Sequence, residues 1–117
     1  MRLILLDYNA LAREEEVDLT PLKQLGELEI HEVTKPLESF QRVQRCDVLL
    51  TVAVPVSRML LDWAPRIAQI VLLGGARSLV DMVAVKDLGV ILTEIPPGEA
   101  QTMVEQAAEA IRRGARS

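Results

Sequence analysis

The sequence predicts an α/β fold in which a parallel five-stranded sheet has helices on both faces, and three observations support this. Short apolar runs recur along the chain, segments with a helical period separate them, and the connections are short. The chain has 117 residues, of which 50% are hydrophobic, which suits one domain with an ordinary core. We expect residues 1–117 to form that single domain.

Five apolar runs are the predicted strands. Four of them are nearly continuous in apolar residues, as expected for strands that are covered on both faces of a sheet. The second run alternates apolar and charged residues, so one of its faces should be wet, and we place it at the edge of the sheet. The runs lie at 3–6, 28–33, 48–52, 70–73 and 90–92.

Five predicted helices alternate with these strands. Hydroxyl residues and prolines mark the first three starts, and glycine or proline residues follow several ends. Five β–α units in this order imply a flavodoxin-like, three-layer fold with strand order 2-1-3-4-5. The predicted starts lie near Thr20, Thr34, Ser57, Leu79 and Glu99, and the predicted stops include Gly26, Pro65 and Gly89.

Composition excludes several classes of function. Seventeen acidic and thirteen basic residues give a net charge of −4, which argues against binding to nucleic acid or to an anionic membrane. Cys46 is the one cysteine and His31 the one histidine, so we expect neither a disulfide framework nor a metal site. The apolar runs are too short for a membrane span or a signal peptide, so we expect a soluble, cytoplasmic protein.

A ligand should bind outside the carboxyl ends of the strands, beside the switch in strand order. The loop there with the best anion-binding chemistry is Gly74-Gly75-Ala76-Arg77-Ser78. Its glycines give backbone freedom, its N–H groups can face a carboxylate or phosphate, and Arg77 adds a fixed positive charge. The alternative interpretation is an ordinary strand-to-helix turn with Arg77 in solvent.

Asp7, after the first strand, raises two other hypotheses that its surroundings do not support. A phospho-receiver domain needs an acceptor aspartate at the end of the third strand, which here ends in Thr51-Val52. A flavin phosphate loop would be repelled by the run 14–16, which consists of three glutamates. Cys46 has no recognisable base partner and is interpreted as a structural thiol, and Trp63 is expected to pack at a helix end.

Four stretches carry a resemblance to a known family. They are residues 60–70 (Leu-Leu-Asp-Trp-Ala-Pro-Arg-Ile-Ala-Gln-Ile), 73–81 (Leu-Gly-Gly-Ala-Arg-Ser-Leu-Val-Asp), 84–90 (Ala-Val-Lys-Asp-Leu-Gly-Val), and 93–96 (Thr-Glu-Ile-Pro) with Thr-Met-Val-Glu in the next helix. In order and spacing they resemble the N-terminal, substrate-binding domain of the D-isomer-specific 2-hydroxyacid dehydrogenases. The matching family motifs include Ala-Gly-x-Gly-x-x-Asn-Ile-Asp, Ala-Ala-Lys-x-x-Gly-Ile and Thr-Asn-x-Pro-Gly.

The resemblance implies chemistry that depends on a second domain. In the family that domain binds NAD through Gly-x-Gly-x-x-Gly, and it supplies an arginine for the substrate and a Glu–His pair for the proton. The sequence has no Gly-x-Gly-x-x-Gly and no histidine downstream of the matched stretches. We therefore assign no catalytic residue to this chain, and we expect it to use NAD only if a cofactor domain is supplied.

The resemblance also maps the substrate side of the family's site onto this sequence. In the family, backbone amides of the glycine loop hold the substrate carboxylate, and a polar residue often follows the third strand. The family's second glycine is Ala76 here and its asparagine is Leu79, while a hinge asparagine becomes Glu94. The implied substrate-binding residues are Val52, Gly74, Gly75, Ala76, Arg77 and Ser78, and the implied hinge residues are Glu94, Pro96 and Pro97.

Three functions stay open from the sequence. The chain is a non-catalytic module that binds a small carboxylate or a partner, or a split or truncated half of an NAD-dependent oxidoreductase of 2-hydroxy acids. The third function is a structural domain that forms a homodimer. The last helix, from about Glu99 to Arg113, has one apolar stripe, which favours a free-standing domain. A separate NAD-binding subunit is the partner that the second function requires.

Overall fold

Five strands make up the sheet: β1 (Arg2–Leu5), β2 (Glu27–Ile30), β3 (Val48–Thr51), β4 (Gln69–Leu73) and β5 (Ile91–Ile95). The structure is a computed structural model and describes residues 1–13, 15–75 and 77–114. All neighbouring strands are parallel, in the order β2-β1-β3-β4-β5, which confirms the predicted fold class. In the register at the centre, Leu5 pairs with Ile30 on one side and with Leu50 on the other.

Six α-helices surround the sheet in the described residues. They are α1 (Tyr8–Leu11), α2 (Thr20–Lys23), α3 (Pro36–Arg42), α4 (Arg58–Trp63), α5 (Met82–Leu88) and α6 (Ala100–Gly114). None of them has the length and apolar character that a membrane span requires. The predicted helices correspond to α2 to α6, and the short helix α1 was not predicted.

The helices form a layer on each face of the sheet. Successive residues of a strand point to opposite faces, so the apolar runs of the central strands supply both cores. One core joins alternate strand residues to α3, α4 and α5, and the other joins the remaining strand residues to α1, α2 and α6. The first core includes Ile4, Leu49, Ile70 and Leu72, and the second includes Leu3, Leu5, Val71 and Leu73.

The fourth predicted helix starts later than expected. Residues Arg77–Leu79 form a 3-10 turn, and Val80 then makes a parallel bridge with Val56. Helix α5 begins after Asp81, whose side-chain oxygen accepts a hydrogen bond from the N–H of Ala84 at 3.0 Å. The aspartate is a stronger helix start than Leu79, because it satisfies an N–H group that the first turn leaves free.

Three further expectations concern strand β2, Trp63 and Cys46. Strand β2 is an edge strand, as predicted, but it ends at Ile30 instead of at residue 33. Trp63 is the last residue of α4, yet its side chain is 53% exposed, so the expectation that it packs was wrong. Cys46 is completely buried in the core beside α3, α4 and α5, in agreement with a structural thiol.

Helix α6 covers the opposite face with a single stripe, as its sequence predicted. The residues at positions between those of the stripe are polar and mostly exposed, so one side of the helix packs and the other is wet. The buried residues of the stripe are Met103, Val104, Ala107, Ala108 and Ile111.

Candidate functional site

A cavity of about 630 Å³ opens at the carboxyl ends of the strands, on the face covered by α6. Its walls come from the segment after β1, the first residues after β3 and β4, and the start of α6. This is the edge of the sheet at which ligands of open α/β folds bind. Among the lining residues are Leu11, Arg13, Glu15, Glu16, Val17, Val52, Leu73, Gly74, Pro97, Glu99, Gln101 and Met103.

Gly74 turns the chain away from β4 at the wall of this cavity. Its φ of +70° lies in the left-handed region that favours glycine, and its N–H donates a hydrogen bond to the carbonyl of Ile95 at 2.8 Å. A Cβ at this position would lie 3.1 Å from the sulfur of Met103. The glycine therefore supplies both a backbone conformation and the space that α6 needs.

Gly75 lies against the backbone of the neighbouring loop. A Cβ at Gly75 would lie 2.5 Å from the carbonyl oxygen of Val52, a distance at which the backbone must shift. The loops after β3 and β4 therefore contact each other through a position that only glycine fits. The N–H of Gly75 donates to no acceptor within the described part of the chain, so it is available to an anion.

Asp7 fixes the loop after β3 from the end of β1. Its carboxylate is buried and accepts hydrogen bonds from the N–H of Val52 at 2.9 Å and from the N–H of Ala53 at 2.7 Å. Two consecutive amides that point at one carboxylate form an anion-binding arrangement, and here the protein's own side chain fills it. The sequence placed Asp7 at the right edge of the sheet but gave no sign of this contact.

Residues 12–13 and 15–19, which we call the β1–α2 loop, border the cavity and are fixed at two points. The Tyr8 hydroxyl accepts from the N–H of Val17 at 3.1 Å and donates to its carbonyl at 3.4 Å. The side-chain amide of Gln101 accepts from the N–H of Asp18 at 2.8 Å and donates to its carbonyl at 2.9 Å. Neither contact was predicted, because each joins residues whose pairing depends on the tertiary fold.

Asp18 also has a local role in the same loop. Its carboxylate accepts hydrogen bonds from the Thr20 hydroxyl at 2.6 Å and from the Thr20 N–H at 2.9 Å, at the start of α2. These bonds favour the ionised form and hold the pKa of Asp18 below its usual value. The loop therefore enters α2 through a carboxylate that is charged at neutral pH.

The charged side chains of the cavity are mixed in sign. Arg13 lines it together with Glu15, Glu16 and Glu99. Arg13 is exposed, its Nε lies 3.4 Å from the carbonyl of Ala10, and no carboxylate of the described residues lies within ion-pair distance of it. Sequence reasoning did not select Arg13, because one arginine in a glutamate-rich segment resembles an ordinary surface residue.

Arg77 lies apart from the cavity. Its Nε donates to a carboxylate oxygen of Glu94 at 2.6 Å, and neither residue is among those that line the cavity. Ser78 is exposed in the same 3-10 turn, and Ala76 lies outside the described residues. The structure thus brings a predicted substrate-binding residue into contact with a predicted hinge residue.

The remaining predicted positions divide between two surfaces. Val52, Gly74 and Pro97 line the cavity, so the structure brings together two predicted substrate-binding residues and one predicted hinge residue. Pro96 instead lines a shallower groove between the end of β5 and the outer side of α6. The two prolines follow each other directly, and the chain passes from β5 into α6 across the rim of the cavity.

The switch point does not fit a dinucleotide. Phosphates of such cofactors need a glycine-rich turn and free amides at the start of a helix after the first strand. Here that turn contains Asp7 and Tyr8 instead of glycine, and Asp7 brings a buried negative charge to the amides of Val52 and Ala53. The described residues at this switch point therefore do not offer NAD a phosphate site.

Cys46 takes no part in this site. Burial raises the pKa of its thiol to about 12, so the thiolate that a nucleophile requires does not form at neutral pH. Among the described residues, no three histidine, cysteine, aspartate or glutamate side chains are grouped in a way that could hold a metal ion.

Comparison with known proteins identifies the fold and the family to which these features relate. Residues 5–115 match the family model described as D-isomer specific 2-hydroxyacid dehydrogenase, catalytic domain. A search of curated proteins found no match.

This chain covers about a third of each of three solved structures to which it is similar. A protein described as a D-3-phosphoglycerate dehydrogenase from Ralstonia solanacearum is 25% identical, with a TM-score of 0.67 over 83% of this chain and 30% of that one. The D-lactate dehydrogenase of Escherichia coli is 20% identical, with a TM-score of 0.66 over 83% and 31%. An NAD-dependent formate dehydrogenase from Staphylococcus aureus, in complex with NAD, is 17% identical, with a TM-score of 0.62 over 81% and 31%.

Proposed function

The chain belongs to the D-isomer specific 2-hydroxyacid dehydrogenase family, and from this premise we propose that it is a non-catalytic module that binds a small carboxylate. It resembles the substrate-binding domain of that family and spans about a third of the length of the related structures. The proposed ligand class is a 2-oxo or 2-hydroxy acid. Its carboxylate would be held by the backbone amides of Gly75 and Ala76 and by Arg77 and Ser78, with Gly74 and Val52 beside it.

The cavity at the carboxyl edge carries this proposal. Gly74 and Val52 line it, and the adjacent Gly75 has an N–H group without an acceptor in the described residues. An amide that is not used inside the protein is suited to a carboxylate oxygen, and charge assistance strengthens such a bond. Arg13, which lines the same cavity, adds a second cation that could pair with the ligand.

The proposal gives this chain binding and leaves hydride transfer to other chains. Transfer needs a cofactor, a clamp for the carboxylate and an acid or base in one place, and of these we assign only carboxylate binding to the described residues. A cytoplasmic location belongs to the proposal, because a reducing compartment suits a lone buried thiol such as Cys46.

The second candidate is one half of a split or truncated NAD-dependent oxidoreductase. The coverage favours it, since the chain matches only 31% of the formate dehydrogenase that is bound to NAD. In that case an NAD-binding domain would pack beside Glu94, Pro96 and Pro97, where the family has its hinge. The two candidates share the carboxylate site and differ in whether a partner adds NAD.

Titration by NMR tests the shared site directly. We expect glyoxylate to shift the amide signals of Gly74 and Gly75, while glycolaldehyde, which has an alcohol in place of the carboxylate, leaves them unchanged. Absence of any shift at these amides would refute the carboxylate site and leave a structural, dimerising role as the better interpretation. NADH oxidation by the purified chain with glyoxylate would refute the non-catalytic module.

Two arginine variants locate the charge that the ligand uses. Arg13→Ala should weaken glyoxylate binding severalfold if the carboxylate sits in the cavity. Arg45→Ala is the matched control, because Arg45 is also exposed and also lacks an ion pair among the described residues, but it lies near α3, away from the carboxyl edge. Equal losses in the two variants would indicate a general charge effect.

A further inference from the structure

We propose that Glu94 is an internal competitor for Arg77, so that a ligand's carboxylate engages Arg77 only when the Arg77–Glu94 ion pair opens. This inference rests on the proposed function, because it concerns the same loop of residues 74–78, which we call the glycine loop. Its starting point is the hydrogen bond of 2.6 Å between the Nε of Arg77 and a carboxylate oxygen of Glu94. The carboxylate of Glu94 therefore already binds the guanidinium for which the ligand's carboxylate would compete.

The ion pair holds Arg77 on the opposite side of the sheet from the cavity. Along β5, Leu92 belongs to the core beside α5 and Ile95 to the core beside α6. Because side chains alternate along a strand, Glu94 shares the face of Leu92. The cavity opens on the other face, where Leu73 and Met103 line it. Glu94 therefore draws the guanidinium of Arg77 away from the cavity.

The pair is exposed enough to open. The side chain of Arg77 is 68% exposed and that of Glu94 is 42% exposed. An ion pair with this much solvent favours its closed state by a factor of only about two to five. Arg77 lies two residues beyond Gly75, so an opened side chain is close to the amides that would hold the carboxylate.

Competition for one guanidinium would also link ligand binding to the hinge. Glu94 is on β5, two residues before Pro96 and three before Pro97, in the segment that the family uses as its hinge. A ligand that takes Arg77 releases Glu94, and by thermodynamic linkage any contact that takes Glu94 favours the ligand to the same degree. A domain that packs beside this segment could therefore adjust affinity for the carboxylate through Glu94.

Glyoxylate affinities of a set of variants, measured by NMR titration, test the competition. Glu94→Gln should bind glyoxylate about three to six times more tightly than wild type, because a closed state favoured by about two to five leaves Arg77 free in only about a third to a sixth of the molecules. Arg77→Ala should weaken binding. In the Arg77→Ala background, Glu94→Gln should have no further effect, because there is no guanidinium left to release.

The control is a second exposed ion pair of equal length. Arg58 and Asp87 form it at 2.6 Å between α4 and α5, and neither residue belongs to the glycine loop or the cavity. Asp87→Asn removes the same charge as Glu94→Gln and should leave glyoxylate affinity unchanged.

Each contrary outcome has a distinct meaning. Wild-type affinity in Glu94→Gln, or a gain that persists without Arg77 or appears equally in Asp87→Asn, would overturn the competition and leave the carboxylate site in place. If none of the variants shows shifts at Gly74 and Gly75, the proposed function itself fails.

Discussion

Asp7 shows how one buried side chain can define both the structure and the limits of a site. It accepts hydrogen bonds from the amides of Val52 and Ala53, the first two residues after β3, and so fixes the loop that Gly75 contacts. An anion from solution would need to displace a carboxylate that is covalently part of the protein. The N–H of Gly75, which has no acceptor among the described residues, is therefore a better ligand contact than the amides after β3.

Substitution of Asp7 by asparagine should weaken this loop. The asparagine keeps one oxygen acceptor, but its NH2 group would face an amide N–H and leave that donor unpaired. We expect Asp7→Asn to lower the free energy of unfolding by about 1.5–3 kcal/mol, the range for hydrogen bonds to a charged group. Urea denaturation would measure the change. Asp62→Asn, at an exposed position on α4, is the control and should stay within about 0.5 kcal/mol of wild type. Equal values for the two variants would contradict the role of Asp7.

For individual residues, the sequence predicted their position at the carboxyl edge of the sheet better than it predicted their contacts. Val52 and Gly74 do line the cavity. Their position at this edge could be predicted, because strand ends and glycine turns are recognisable from the local sequence pattern. Arg77 instead pairs with Glu94, which is 17 residues away in the sequence. The partner of a long charged side chain depends on the tertiary fold, so the local sequence does not predict it.

At the scale of elements, the connection from β4 to α5 is constrained by contact with the loop after β3. Gly75 approaches the carbonyl of Val52, and five residues later Val80 bridges to Val56, so the two loops run side by side. The site is thus built from two loops that position each other, which limits how far either can move when a ligand binds.

Two glycine substitutions test this contact. Gly75→Ala places a Cβ 2.5 Å from the carbonyl oxygen of Val52 and should lower the free energy of unfolding by about 1–3 kcal/mol, because the loops must separate. Gly98→Ala adds the same methyl group where no atom lies within 4 Å and where φ is not positive. We expect that control to be neutral or more stable by up to about 1 kcal/mol. Thermal unfolding of both variants measures the difference, and a neutral Gly75→Ala would show that the loops do not constrain each other.

The order of the elements followed from the sequence, and several of their boundaries did not. The apolar runs and the single stripe of α6 reflect burial over many residues, so they survive small local errors. Helix α1 has only four residues and no side-chain cap, and thus no pattern long enough to recognise. The sequence pattern predicts too early a start for α5, because the apolar Leu79 fits the helical period although the helix begins only after the cap residue Asp81.

For the whole molecule, the central sheet joins two cores into one cooperative unit. Strands β1, β3 and β4 contribute alternate residues to each core, so neither layer of helices can leave the sheet without exposing apolar residues. Cys46 lies in the core beside α3, α4 and α5, and its raised pKa of about 12 together with burial protects it from thiol reagents. Its reactivity therefore reports unfolding of that layer alone.

We expect one unfolding transition even when only one core is weakened. Leu5→Ala alters the core beside α6 and Leu49→Ala the core that contains Cys46, and each should lower the free energy of unfolding by about 2–5 kcal/mol. In both variants the urea midpoint from far-UV circular dichroism should coincide with that from labelling of Cys46. If Leu49→Ala exposes Cys46 at urea concentrations where the helical signal is still native, the two layers unfold separately. The conformation of the glycine loop, which lies between the layers at the edge of the sheet, would then depend on one layer of helices and not on the whole fold.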